Sequence, residues 1–310
     1  MDANLRFWRS EGQSFFQRFL LWADVLDPLL LLKSSEEIRR TRLLIQNSEK
    51  TLNEPIRDAQ SSVHPDTNKI IPVLLRPPAF LPITLPLVIV SSLQRHATQT
   101  FFCQFVFHTY NTAFTLFNGN GTVKAEEYSV QQKQILFGLG AISYAACIGA
   151  LPVGFMNRHG VNNPLLQLLV KQILPAPLFG LMSAFTVAVV RIPEFENGIE
   201  VMDRNGKVVG VSQKAGEKAV RETALSRAVL FGTTLFLTPV LTHFVQRTNF
   251  AKTPRALASV RMLMMTSVLA GMLPVSLSMF PQCGEIKRAD LEQEILSATE
   301  EPELFYNRGF

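Results

Sequence analysis

The chain is poor in cysteine, and its three thiols, Cys103, Cys147 and Cys283, lie far apart in a sequence of 310 residues. Zinc sites, iron–sulfur clusters and redox dithiols draw their ligands from closely spaced cysteines, so none of these is expected here. The five histidines, His64, His96, His108, His159 and His243, are equally scattered, with no i, i+4 pair among them. No metal site and no cofactor follow from such a pattern. A glycine-rich phosphate loop after a strand is missing too, and the NGNG at 118–121 reads as a turn. No acid, base and nucleophile fall into a plausible set. The expectation is therefore a protein with no catalytic residues, no enzymatic activity and no nucleic-acid partner.

The N-terminus also lacks a removable address. It carries Asp2, Glu11 and Asp24, whereas cleavable mitochondrial presequences are poor in acids, and it has no apolar core of the secretory kind. Any organelle address then sits within the mature chain.

Charge is the scarcest commodity: 18% of residues are charged against 47% hydrophobic, and the mean hydropathy is +0.17. Windows without Asp, Glu, Lys or Arg occupy 77–94, 96–123, 134–157, 172–190, 228–246 and 262–284. A helix rises about 1.5 Å per residue, so roughly 20 residues cross a hydrocarbon layer ~30 Å thick. The chain reads as all-α, a multipass transmembrane helical bundle. Buried helices of a soluble domain would show polar faces at helical period, which these windows hardly do. Pro77, Pro78, Pro82 and Pro86 set the first window apart as a kinked or interfacial approach segment. About five spans remain, near 99–117, 135–155, 173–191, 228–246 and 262–280. Lys171, Arg191, Arg227 and Arg247 stand at span ends, where long cationic side chains can snorkel to headgroups.

Outside this membrane domain (79–281) the reading gives an N-terminal non-spanning helical region (1–78) and an acidic tail (282–310). Leu5, Trp8, Phe15, Phe19, Trp22 and Leu26 recur at three- and four-residue intervals around Gly12, an amphipathic helical pattern that Asp27-Pro28 ends. It either lies on the membrane with Arg9 and Arg18 near headgroups or folds back onto the bundle, and we prefer the second. In the 192–227 loop, IEVMDRNGKVVGVS places Asn205-Gly206 between two β-leaning stretches, the signal of a small hairpin with a two-residue turn. QKAGEKAVRETALSR after it reads as a surface helix entering the fourth span. Asn120-Gly121-Thr122 matches a glycosylation acceptor, relevant only in the secretory pathway.

Several longer strings are distinctive: Asp27-Pro28, His64-Pro65-Asp66-Thr67, Tyr110-Asn111, DRNGKVVG at 203–210, Ser226-Arg227, Phe280-Pro281-Gln282 and the FYNRGF at 305–310. On these the chain resembles the sideroflexins, multipass proteins of the mitochondrial inner membrane, nearly from end to end. Its LRPPAFLP, KAVRETALSRAVLFGT and TEEPELFYNRGF are similar to the family's divergent fourth mammalian paralogue. The resemblance implies inner-membrane lipid as surroundings, complex I assembly factors as partners, and a part in iron–sulfur and haem homeostasis. A small amino-acid substrate is the alternative.

His64-Pro65-Asp66-Thr67 invites a ligand or proton-sharing role, but Asp or Thr before a turn commonly caps backbone donors, and a structural cap is the expectation. Transporting sideroflexins have an asparagine-rich stretch with a proline where this chain has Ser183, Thr186 and Ala188. The family's second asparagine of the first span appears as Thr115 and an arginine appears as Gly119, while Asn111 and Asn118 remain. A zwitterion needs donors and acceptors together, which amides supply and isolated hydroxyls supply less well. Asn111, Thr115, Asn118, Ser183 and Thr186 are thus the substrate-path candidates, with the serine and threonine expected to satisfy their own helix backbone. A non-transporting accessory protein is the favoured reading and a carrier with a substrate other than serine the alternative. With five spans, the N-terminal region would share the matrix side with the basic 157–172 and 247–261 loops, and the C-tail would lie opposite.

Overall fold

A computed structural model describes residues 3–34, 36–40, 62–64, 70–120, 128–159, 163, 166–167, 169–248 and 253–310. In chain order the labelled elements are α1 (Ala3–Glu11), α2 (Phe15–Val25), α3 (Phe80–Leu93), α4 (Ala97–Asn118), α5 (Tyr128–His159), α6 (Pro175–Val190) and α7 (Ile192–Glu196). They continue with β1 (Ile199–Met202), β2 (Val208–Ser212), α8 (Gln213–Arg247), α9 (Pro254–Ser278), β3 (Cys283–Lys287), α10 (Gln293–Ala298) and β4 (Glu303–Asn307). The fold is a helical membrane bundle with one small sheet.

Residues 134–159 of α5, with α8 and α9, are long and apolar enough to cross a membrane, while Pro77–Leu93 and α6 are shorter apolar helices. In each of the three long helices most of the apolar window is uncovered. Leu136, Phe137, Leu151, Phe236, Phe244 and Leu263 point outward, as lipid-facing side chains do. The 22 residues of α4 give it about 33 Å, and its buried face is polar. The helices close a ring, α3 on α4, α4 on α5, α5 on α6, α6 on α8, α8 on α9 and α9 on α3, with α4 also touching α6. Phe107, Phe179 and Phe231 meet inside it at centroid distances of 4.7, 4.9 and 5.8 Å. The α6–α8 crossing is tight because it runs over glycine: a Cβ on Gly180 would lie 2.7 Å from the Ala228 carbonyl oxygen and 3.2 Å from the Gly232 Cα.

The first proline-rich window is helical, and its prolines explain themselves by position. Pro77 and Pro78 lie in a 3₁₀ turn ahead of α3, and Pro82 falls in the first turn of α3, where a backbone N–H has no intrahelical acceptor. Only Pro86 interrupts the ladder. A short 94–96 connection then turns the chain back into α4.

This extra traverse changes the arrangement of the ends. The starts of α3 and α8 and the finishes of α4, α6 and α9 lie at one end of the bundle, with the sheet. The 94–96 turn, the finishes of α5 and α8 and the starts of α6 and α9 lie at the other, where Asn157 donates to the Arg95 carbonyl at 2.9 Å. The N-terminal helices belong to the sheet end: Trp22 meets Phe310 edge-on at 5.0 Å, Arg9 lies 3.7 Å from the Phe305 ring, and Arg18 Nε donates to the Ser278 carbonyl. The expectation that the N-terminal region and the C-tail lie on opposite sides is therefore corrected. Both are layers of the same end, and Arg9 and Arg18 serve that packing.

The C-tail is folded. β3 and β4 complete a four-stranded antiparallel sheet in the order β2-β1-β4-β3. Glu285, Asp290, Glu294 and Glu300 are exposed and Glu292 accepts from Lys214 N–H, while Ile286, Leu304 and Tyr306 join Ile199, Val201, Ala215 and Ala219 in a core under α8. Gly284 sits opposite Tyr306, whose ring would meet any Cβ there at 2.2 Å. The hairpin turn is longer than a two-residue one, because Asp203 takes it over. Its carbonyl accepts from Gly206 N–H at 3.0 Å and its carboxylate from Lys207 N–H at 2.8 Å, with Gly206 at φ 82°. QKAGEKAVRETALSR is continuous with the span below it as α8, 35 residues in all.

Candidate functional site: a sealed end and an unpaired polar face

At the sheet end the chain spends buried charge on closing the bundle. Arg191, which caps α6, pairs with Glu194 in the first turn of α7 through Nε–Oε1 and Nη2–Oε2 contacts of 2.5 and 2.6 Å. Its Nη1 donates to Thr223 at 2.9 Å and Nη2 also to the Arg308 carbonyl at 2.7 Å. Asn120 donates to Glu194 and to the Asn307 carbonyl. Arg308 donates to the Phe280 and Leu277 carbonyls, and Gln282 donates to the Asn307 side chain at 3.1 Å. Burial pulls the Arg308 guanidinium down to about 10 and pushes the Cys283 thiol up to about 12, which leaves that thiol inert. Two of the arginines expected to snorkel do something else, while Arg247 is exposed at the end of α8. Arg191 is 2% exposed, and the equally buried Arg227 stands against three rings, Phe80 at 4.5 Å, Phe310 at 4.9 Å and Phe114 at 5.5 Å.

The distinctive sequence strings converge on this end. His64 Nε2–H donates to the Gly119 carbonyl at 2.7 Å, while Pro65, Asp66 and Thr67 lie outside the described residues. Asn118 donates to the Leu75 and Phe114 carbonyls, and its own carbonyl accepts from Phe310 N–H at 3.0 Å. Pro281 is half-buried beside Gln282. Where the family resemblance puts arginine, Gly119 stands against the seal; a Cβ there would lie 2.8 Å from the Thr115 carbonyl oxygen, 3.6 Å from Glu194 Oε1 and 3.9 Å from Arg191 Nε.

The other path candidates are spread along the bundle and satisfied locally. Asn111 Nδ2 donates to its own helix at Phe107, Ser183 to Phe179 and Thr186 to Ser183. Thr115 is buried on α4. No hydrogen bond among the described residues joins Ser183 or Thr186 to Asn111 or Asn118.

A neighbouring face of α4 was overlooked in the sequence. Gln104, His108 and Thr112 recur every four residues, and all are buried, His108 at 0% exposure. Gln104 Oε1, both His108 ring nitrogens and the Thr112 hydroxyl have no hydrogen-bond partner. They face small residues: a Cβ on Gly149 of α5 would overlap Gln104, and one on Gly138 would touch the Thr112 methyl at 3.8 Å. His108 also lies 5.9 Å from the Phe179 ring. The i, i+4, i+8 spacing inside a charge-free window was the available signal. No group of three or more metal-capable side chains occurs among the described residues.

A ring of apolar helices with polar groups turned inward and lipid-facing side chains turned out defines a multipass membrane protein. The sequence model of the family described as "SFXNs: Sideroflexins" matches residues 4–310, and the chain belongs to the sideroflexin family. It is 44% identical to Sideroflexin-4 of Danio rerio, with both chains fully covered. It is 36% identical to Sideroflexin-4 of Homo sapiens over 100% of this chain and 93% of that one. Against Sideroflexin-5 of Homo sapiens the identity is 29%, over 97% and 91% of the two chains. No solved structure matches.

Proposed function

We propose that this sideroflexin is a non-transporting accessory factor of the mitochondrial inner membrane, acting in respiratory complex I assembly and in iron–sulfur and haem homeostasis. The observation that supports it is where the candidate path residues spend their polar groups. The amides of Asn111 and Asn118 and the hydroxyls of Ser183 and Thr186 donate to backbone carbonyls, mostly of their own helices. A zwitterion would have to break those bonds without gaining a charged partner. Gly119 adds to this, because it leaves Glu194 to Arg191 within the seal.

The orientation follows from the corrected arrangement. Among the described residues the loop end carries Arg95, Arg158, Lys171, Arg247 and Arg255, and the sequence between α3 and α4, α5 and α6, and α8 and α9 holds no Asp or Glu. The positive-inside rule then puts that end in the matrix and the N-terminal region, sheet and C-tail in the intermembrane space. The premise for a matrix N-terminus, a shared side with the basic loops, is gone.

One observation favours the carrier reading instead, the unpartnered Gln104, His108 and Thr112. The two readings part in proteoliposomes loaded against a panel of amino acids. The accessory reading expects no saturable uptake, and expects Gln104→Leu, His108→Leu and Thr112→Val together to leave thermal stability unchanged or raised, since three orphaned polar groups are replaced by apolar ones. Capture of the same chain from mitochondria should then return complex I assembly intermediates. Saturable uptake that the triple variant abolishes at normal abundance would overturn it.

A further inference from the structure

Beneath the N-terminal helices, at the sheet end, lies a cavity of about 60 Å³. Trp8, Trp22 and Phe310 supply its aromatic wall, aliphatic side chains most of the rest, and Asn118, Gln282 and Asn307 its polar edge. Trp22 is 3% exposed, and its indole Nε1–H has no acceptor.

That donor belongs to a wider imbalance. Arg76 Nη1, both terminal nitrogens of Arg227 and Nε of Arg308 are also buried without a partner. Arg76 directly precedes the cavity-lining Pro77, and its Nε donates to the carbonyl of Ile71, another wall residue. Arg308 follows Asn307 and reaches Gln282 Oε1 at 3.5 Å. Arg227 stacks on the Phe310 ring at 4.9 Å, so its charge lies one ring from the cavity. Among the described residues the nearby carboxylates are engaged: Glu194 pairs with Arg191, and Glu222 accepts from the Tyr306 hydroxyl. Among the lining residues the Trp22 indole carries the one unpartnered buried nitrogen, and the unpartnered nitrogens of Arg76, Arg227 and Arg308 lie in residues next to the wall, where a buried guanidinium without a counter-charge is costly.

We propose that this cavity is a binding site for a small monocarboxylate, its carboxylate oxygen accepting from the Trp22 indole N–H in the field of Arg76, Arg227 and Arg308, and its short hydrocarbon body packed against Trp8, Val25 and Ile71. The apolar wall selects against inorganic ions, which would lose their hydration without replacement. The unpartnered indole donor, with guanidinium charge nearby, selects against cations. The volume limits the ligand to a few heavy atoms. Asn118, at the finish of α4, is the path candidate that lines it, and the proposal does not depend on the proposed function.

The chain carries its own reporter, because Trp8 and Trp22 are its two tryptophans and both line the cavity. Butyrate titrated into the purified full-length chain in detergent should give a saturable change in tryptophan fluorescence. Butyramide, the uncharged counterpart of similar shape, and sodium chloride at equal concentration should not. Trp22→Phe removes the donor, keeps the aromatic wall and leaves Trp8 as reporter, and is expected to weaken butyrate binding about tenfold or more. No saturable response to butyrate, or an equal response to butyramide or chloride, overturns the proposal whatever the variant does. Wild-type affinity in a folded Trp22→Phe chain overturns it as well.

Discussion

Replacing Glu194 by alanine is expected to destabilise the protein by about 3–5 kcal/mol, the usual cost of leaving one member of a buried ion pair behind. Arg191 and Glu194 have side chains only 2% and 5% exposed, so water cannot take over for the lost carboxylate. The damage spreads, because Arg191 also holds Thr223 and the Arg308 carbonyl, and Asn120 loses an acceptor with the same substitution. α6, α8, the 119–120 turn and the C-terminal segment all lean on that one pair. Arg191→Met with Glu194→Leu should cost less than Glu194→Ala alone, since apolar replacement of both partners removes the desolvation penalty along with the attraction. Thermal unfolding in detergent and steady-state abundance in mitochondria measure both. A single variant within about 1 kcal/mol of the parent would mean that the pair is solvated and the end not sealed.

Gly180→Leu should lower abundance sharply. Its first added carbon would stand 2.7 Å from a backbone oxygen of α8 at Ala228, and a helix backbone cannot step aside as a side chain can. The α6–α8 crossing has to open, and with it the Phe107–Phe179–Phe231 contacts. Even Gly180→Ala is expected to cost about 1–3 kcal/mol through overpacking. Gly138→Ala is the matched control on α5, where the new methyl meets Thr112 and Val190 at an ordinary 3.8 Å. Equal tolerance of both substitutions would contradict the close crossing.

How much of this was legible depended on whether the determining physics is local. Missing charge over 134–157, 228–246 and 262–284 is local, and it placed three helices correctly from composition. The paired antiparallel strands IEVM and VVGVS were readable for the same reason, since the turn residues lie between them. Proline misled at 77–86, because four prolines in ten residues look like a broken helix until three of them are seen to occupy the preceding turn and the first helical turn. The tail from 282 read only as acidic because its partners, β1 and α8, are some 60 to 100 residues away in the chain. Arg191 and Arg227 looked like headgroup anchors for a like reason. Nothing next to them in sequence announces Arg308, Phe80 or Phe310. Ser183 and Thr186 were legible as hydroxyls bonded within their helix, a short-range matter. Gln104, His108 and Thr112 stood in view at four-residue spacing, but their significance lies in having no partner, which only the packed bundle reveals.

The account rests on one arrangement, in which the N-terminal helices and the C-terminal strands form a single layer closing one end of the bundle. The direct measurement puts one epitope ahead of α1 and another after Phe310 of the same chain, and follows both through protease treatment of intact mitochondria, mitoplasts and detergent lysates. Both epitopes should survive in intact mitochondria and disappear together once the outer membrane is opened, while a tag inserted at Asn163, between α5 and α6, persists until detergent is added. Loss of one terminal epitope with protection of the other in mitoplasts would place the two regions on opposite sides of the membrane, and the shared, sealed end would have to be abandoned.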